Sequence, residues 1–469
     1  MNDAPRSSGI ASVPGSFRDP SGHLFTRDGV LLRTVAPVFA ESYEAVKASG
    51  LYEALTAAGL LVAHTEVDPG LAPSSAHAVL QPDVIEFISY PYEWSPAQLR
   101  EAALLTLRIM DVALDHGMIL RDASAYNVQF VGTTPIFIDT LSFEPRVTDE
   151  RWIAYSQFCR HFLAPLALQT LVDHRLADLL RTNIDGIPLD LAAALLPGKT
   201  KLRPGLLTHI HAQARASAKG GQADPDAAPG RTVRFSELAM RGLVDGLRGT
   251  VERLQWDRGR TEWGDYYAEA AHYTDDAMAD KAETVERFVR TVAPSMVWDL
   301  GANTGRFSAI AASTGATVLA LDIDHGAVES GYRSLCAQQL SAGSVLPLRY
   351  DLANPTPSIG WATEERMSLA ERGPADLLLA LALVHHLAIG NNVPLDRIAA
   401  HLASLGEHLV IEWVPKDDPK VRVLLATRED VFDQYTDAGF RAAFTQHFEL
   451  VEEQPVRESG RVLHLMRAR

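Results

Sequence analysis

Two cysteines in 469 residues, Cys159 and Cys336, leave this chain without the material for a disulfide framework or a cysteine zinc site. Such sparing use suits a reducing cytoplasm, which is the expected setting. Long hydrophobic runs are also missing. The richest, such as "LLLALALV", falls far short of the roughly 18 apolar residues a spanning helix needs, so no membrane is expected. The opening "MNDAPRSSGIASVPGSF" lacks the apolar core of a signal peptide, so export is not expected either. Positive charge is scarce as well: 43 Lys and Arg stand against 59 Asp and Glu, for a net charge of −16. Nucleic-acid binding draws its affinity from clustered cations, so the charge argues against a broad nucleic-acid surface. It excludes neither a local basic groove nor a small-molecule substrate.

What is present is an ordinary globular composition, 47% hydrophobic and 22% charged, on a chain long enough for two or three domains. No internal repeat is visible. Residues 211–232, "HAQARASAKGGQADPDAAPGRT", are rich in Ala, Gly, Asp and Pro without apolar periodicity and read as a linker. "FSELAMRGLVDGLRGTVERLQW" beyond it has helical spacing and is expected to bridge the halves. The expected plan is an α+β domain over 1–210, linker and helix over 211–258, and an α/β domain over 259–469.

In the last part, helix-like and strand-like segments alternate, the mark of a mostly parallel sheet covered by helices. "SMVWDLG", "ATVLALDID", "SVLPLRYDL", "ADLLLALAL" and "EHLVIEWV" supply five strands. "HFELVEEQPV" and "RVLHLMRAR" supply two more, and the short "RESG" between them forces an antiparallel hairpin.

The turn "DLGANTGRFS" after the first strand is built for a close ligand. A dinucleotide fingerprint needs glycines where Asn303 and Arg306 stand, and a phosphate loop needs a Gly-Lys-Ser/Thr ending that is absent. There remains Asp299-x-Gly301-x-Asn303-x-Gly305, with Asp322 ending the second strand and Asp351 following the third. This combination resembles the class I S-adenosylmethionine-dependent methyltransferases over roughly residues 260–469. The resemblance implies a Rossmann-like seven-stranded sheet with a terminal antiparallel hairpin, and S-adenosylmethionine as cofactor. It implies that Gly301, Asn303 and Gly305 pass under the cofactor's methionine part while Asp299 orients its amino end. Asp322 would receive the ribose hydroxyls and Asp351 would meet the adenine amine.

The acceptor is expected beyond the fourth strand, at "LALVHHLAIGNNVP". His385 and His386 are candidate general bases there, because imidazole titrates near physiological pH; packing or capping is the competing reading. Adjacent histidines with no ligand cluster nearby give no metal site. Glu412 and Trp413 end the fifth strand beside the same region. Tyr266, Tyr267, Tyr273 and Lys281 lie just upstream, where related enzymes carry a lid; helix packing is the alternative.

The first half makes a separate claim. "SPAQLREAALLTLRIMDVALDHGM" opens with Ser95, Pro96 and Gln98 in helix-start positions. After it come Asp122, Asn127, a hairpin and Asp139. A long helix, Asp-x4-Asn and a hairpin ending in Asp resemble the catalytic region of the protein-kinase and aminoglycoside-phosphotransferase fold. There these residues orient the hydroxyl and hold magnesium. Leu120 replaces that fold's histidine, "TLS" replaces Phe-Gly after Asp139, and Arg33 stands for its phosphate-binding lysine. Three readings stay open: a kinase-like fold without phosphotransfer, an active phosphotransferase, or an unrelated substrate-binding domain. The whole arrangement, with its "LRDASAYNVQF" loop, is similar to a group of bacterial nodulation-associated methyltransferase-like proteins, which implies a specialised metabolite or saccharide-bearing acceptor.

Overall fold

The computed structural model of the chain describes residues 9–148, 150–220, 235–256, 275–338, 340, 342–426 and 428–469. The expected lid tyrosines Tyr266, Tyr267 and Tyr273 lie outside the described residues, as does most of the expected linker. Two compact units emerge: Met1–Tyr92, Pro96–Asp257 and Ser358–Arg366 form one, and Glu93–Ser95, Arg258–Pro357 and Met367–Arg469 the other.

In the first unit, strands β1 (Ile10–Ser12), β2 (Leu24–Arg27), β3 (Val30–Val35), β4 (His64–Val67) and β5 (Ala78–Pro82) form an antiparallel sheet in the order β1-β2-β3-β5-β4. Asp28 and Gly29, both at positive φ, make the two-residue turn between β2 and β3, the geometry that matches strand twist. Helix Pro96–Asp115 buries one face through Leu99, Ala103, Leu107 and Met110. Then follow β6 (Met118–Leu120), β7 (Val128–Val131), β8 (Thr134–Phe137) and β9 (Phe143–Pro145). Strands β7 and β8 pair as the expected hairpin, and β6 pairs with β9.

Two boundaries differ from the sequence expectation. Helix Glu237–Glu252, expected as a bridge, belongs to the first unit. Its buried stripe of Met240, Val244, Leu247 and Val251 needs a partner, and Arg248 with Asp111 and Arg241 with Asp115 tie it to the long helix. Residues Ser358–Arg366 also join this unit, although they interrupt the second one in sequence. Arg18 clasps Glu365 at 2.5 Å, and the Arg366 guanidinium lies 4.1 Å from the Tyr126 ring centre.

The second unit is a seven-stranded sheet of β10 (Met296–Leu300), β11 (Thr317–Asp322), β12 (Ser344–Arg349), β13 (Ala375–Ala380), β14 (Gly406–Trp413), β15 (Phe448–Pro455) and β16 (Val462–Ala468). Their order is β12-β11-β10-β13-β14-β16-β15. The first five are parallel, and β16 lies antiparallel between β14 and β15. All seven segments read from the sequence are strands here. Strands buried on both faces have no need to alternate, which is why β10 and β13 are continuously apolar apart from Asp299 and Asp376. Val297, Val318, Val345 and Leu377 line up across the sheet and, with Val410, share one buried cluster with Phe288 and Val289 of helix Asp275–Val292. The chain runs from β10 outward to β12 on one side, then returns to lay β13 and β14 on the other. That reversal leaves a crevice at the carboxyl ends of β10 and β13, where open α/β sheets bind their ligands.

Candidate functional site

A cavity of about 290 Å³ opens at this crevice. Asp299, Gly301, Ala302 and Asn303 line it from the β10 turn, Asp322 and Ile323 from the end of β11, and Tyr350 to Ala353 from the end of β12. Leu381 to Leu383, His386, Leu387 and Asn391 come from the β13 side, with Met278, Lys281 and Phe307 from the covering helices.

The turn conformation explains its glycines. Gly301 and Gly305 sit at φ +76° and +84°, which a side chain rarely adopts. A Cβ on Gly301 would also stand 3.3 Å from Leu383, narrowing the crevice. Asn303 is likewise left-handed, at φ +53°, and its side-chain Oδ1 accepts from the Thr304 amide at 2.8 Å. The amides of Gly301 and Ala302 donate to the Leu321 carbonyl, tying the turn to β11.

Three carboxylates face this space. Asp322 Oδ2 accepts from the Asn303 amide at 2.7 Å and Oδ1 from the Asp324 amide at 2.8 Å, so it clamps the turn and lines the cavity together. Burial nevertheless pushes its pKa up to about 6. Asp299 is deeper; it accepts from Ser308 Oγ at 2.6 Å, and burial raises it to about 7. Asp351 accepts from the Ala353 and Asn354 amides in a tight turn. Thus the turn residues Asp299, Gly301 and Asn303 and the acids Asp322 and Asp351 meet in one cavity, while Gly305 caps the following helix rather than lining it.

The two histidines separate. His386 faces the cavity, and burial drops its pKa to about 4, so it is neutral at physiological pH. His385 lies against it, tilted, with ring centres 4.1 Å apart, but does not line the cavity, and its buried Nδ1 has no hydrogen-bond partner among the described residues. Glu412 is fully buried and accepts from Lys281 Nζ at 2.7 Å, while Trp413 packs in the core on Tyr435 and Phe440. Sequence reading passed over Phe307, Tyr350 and Asn391, because nothing in their local pattern marks them.

The raised acids carry a stability consequence. A carboxyl whose folded pKa exceeds its unfolded value stabilises below about pH 4, and that contribution is lost as pH rises through the folded value, here about 7 for Asp299. Asp299→Asn removes the charge that burial penalises. The variant should therefore melt higher than the parent at pH 8, by roughly 5 °C for about 2 kcal/mol, and the gap should close by about pH 4. Melting curves at the two pH values check this; a gap that does not change with pH contradicts it.

Strand order 3-2-1-4-5-7-6 with the penultimate position antiparallel, together with the glycine turn and the acids at the ends of strands two and three, defines the second unit as a domain of the class I methyltransferase fold. Comparison with known proteins gives the family. The chain is 37% identical over 467 residues to nodulation protein NoeA of Rhizobium meliloti (strain 1021), covering 98% of this chain and 96% of that one. It belongs to the NoeA family. No protein-family model matches the chain. Among solved structures it is similar to magnesium protoporphyrin IX methyltransferase from Synechocystis PCC 6803, at 18% identity and a TM-score of 0.30, covering 45% of this chain and 86% of that one. It is also similar to the bifunctional kinase-methyltransferase WbdD, at 19% identity and a TM-score of 0.28, covering 45% and 42%.

Proposed function

We propose that the chain is an S-adenosylmethionine-dependent methyltransferase acting on a small-molecule or specialised-metabolite acceptor. The observation that carries this reading is the placement of Asp299, Asp322 and Asp351 in succession around one cavity at the sheet's reversal point. The lining fits the cofactor: a carboxylate for the two ribose hydroxyls, an acid beyond the third strand for the adenine amine, apolar Ile323 and Leu352 for the base, and a glycine turn without a Cβ for close approach. Gly301, Asn303 and Gly305 shape the methionine end, where Asp299 meets the amino group. When bound, the cofactor supplies a methyl group on a sulfonium centre that leaves readily. The protein's own contribution is then positioning of the acceptor's nucleophile and exclusion of water. His386 is neutral and at the cavity wall, suited to accept a proton from the acceptor, and His385 behind it holds the ring.

The first unit is read as a kinase-like domain, over about residues 1–210, that selects or presents the acceptor. Its five-stranded antiparallel sheet, long helix, Asp122 and Asn127 loop, hairpin and Asp139 support the likeness. Against phosphate transfer stands Arg33, whose guanidinium pairs with Asp139 at 2.6 Å and Asp19 at 2.9 Å, holding the acid that would bind the metal. The chain would work in the cytoplasm.

The test is transfer of labelled methyl from S-adenosylmethionine into fractionated small molecules of a cell extract. Label in a discrete small-molecule fraction, dependent on the intact protein, is expected. Label in protein or nucleic acid alone would refute the acceptor class.

A further inference from the structure

The charges around the cavity are unevenly distributed. Three lining residues are acids, and a single lining residue among those described, Lys281, is a cation. Strand order gives them positions. Asp351 and Asp322 end β12 and β11 on one side of the reversal, whereas Lys281 is tied through Glu412 to β14, three strands from β11. Neighbouring strands lie about 4.8 Å apart, so the separation is on the order of 14 Å. A ligand spanning it must be elongated, with hydroxyls or amines at the acidic end and an anion at the other.

We propose that Lys281 is the recognition residue for the α-carboxylate of the cofactor's amino-acid end, held in place by Glu412. This rests on the cofactor reading above and extends it to a residue outside the glycine turn. Several features fit an anion site rather than a structural pair alone. Lys281 is 3% exposed and lines the cavity. Its ammonium lies 4.8 Å from the ring centre of Phe307, itself a lining residue, so the side chain is aimed along the cavity wall. Glu412 is in turn backed by Arg461 at 3.5 Å, and Arg461 is held by Asp418 at 2.8 Å. This alternation of signs fixes the ammonium at the cavity wall. Asp299 nearby provides the complementary acid for an α-amino group, so the two form a zwitterion-sized pair.

Calorimetric titration of the full chain with S-adenosylhomocysteine and with 5′-methylthioadenosine, which lacks the amino-acid end, tests the assignment. Lys281→Met should lower affinity for the first by about tenfold to a hundredfold while changing the second less than about threefold. Because removing Lys281 alone strands a buried carboxylate, the double variant Lys281→Met/Glu412→Gln is measured beside it and should give the same pattern. Equal loss for both ligands would make Lys281 a structural residue and overturn the proposal, as would unchanged affinity for S-adenosylhomocysteine. If the parent protein binds neither ligand, the cofactor reading itself fails, a result separate from failure at Lys281.

Discussion

Asp322→Ala should weaken S-adenosylhomocysteine binding by roughly tenfold to a thousandfold, at about 1.4 kcal/mol per decade. Two effects combine. The carboxylate is the group at the end of β11 that accepts paired ribose hydroxyls in the proposed complex, through charge-assisted bonds of about 1.5–3 kcal/mol each. It also accepts from the Asn303 and Asp324 amides, so its loss frees the turn that the cofactor must lie against. Asp322→Asn keeps an acceptor for one of those amides and should lose less. Calorimetry on the three proteins separates the contributions, with circular dichroism confirming that the sheet persists. An affinity for Asp322→Ala within threefold of the parent would mean that the ribose lies elsewhere.

Glu412→Ala should be the most damaging single change for stability. Glu412 has no exposed surface and sits between Lys281 and Arg461, both almost fully buried. Removing one partner of a buried pair leaves uncompensated charge and costs about 3–5 kcal/mol. Burial already lowers the pKa of Lys281, so that ammonium can relieve part of the cost by losing its proton; the Arg461 guanidinium cannot. Asp418, at 2.8 Å from Arg461, limits the loss on that side. The transition of the second unit should fall by about 10 °C in scanning calorimetry. Lys281→Met/Glu412→Gln should fall less, because it leaves no unmatched charge beside the cavity. A drop under about 2 °C for Glu412→Ala would show that the pair contributes little to the fold.

The contrast between these two residues shows what a sequence makes legible. Asp322 announces itself locally: it ends an apolar run at a set distance from a glycine turn, and the parallel sheet places both at the same edge. The parallel strands are legible for the same reason, since burial on both faces leaves largely apolar segments, whereas the exposed edge strand β15 is legible through its short link to β16. Lys281 and Glu412 are 131 positions apart, and neither has a neighbour pattern that names the other; only the return of the chain to lay β14 beside β13 brings them together. His385 and His386 are adjacent and alike in sequence, yet one reaches the cavity and the other does not, because consecutive residues of the helical segment that begins at Val384 point about 100° apart. The placement of Ser358–Arg366 in the first unit goes with long-range contacts such as the Arg18–Glu365 pair, across 347 positions, and is equally silent in composition. In the first unit, Asp122, Asn127 and Asp139 were legible as a motif, but the engagement of Asp139 by Arg33 needed three dimensions.

Titration of the full-length protein with S-adenosylmethionine, S-adenosylhomocysteine and NADH addresses the account most directly. Micromolar binding of the first two, with no heat from NADH, is the predicted result. Binding of NADH in their place, or of none of the three, would contradict the assignment of the Asp299–Gly305 turn to this cofactor.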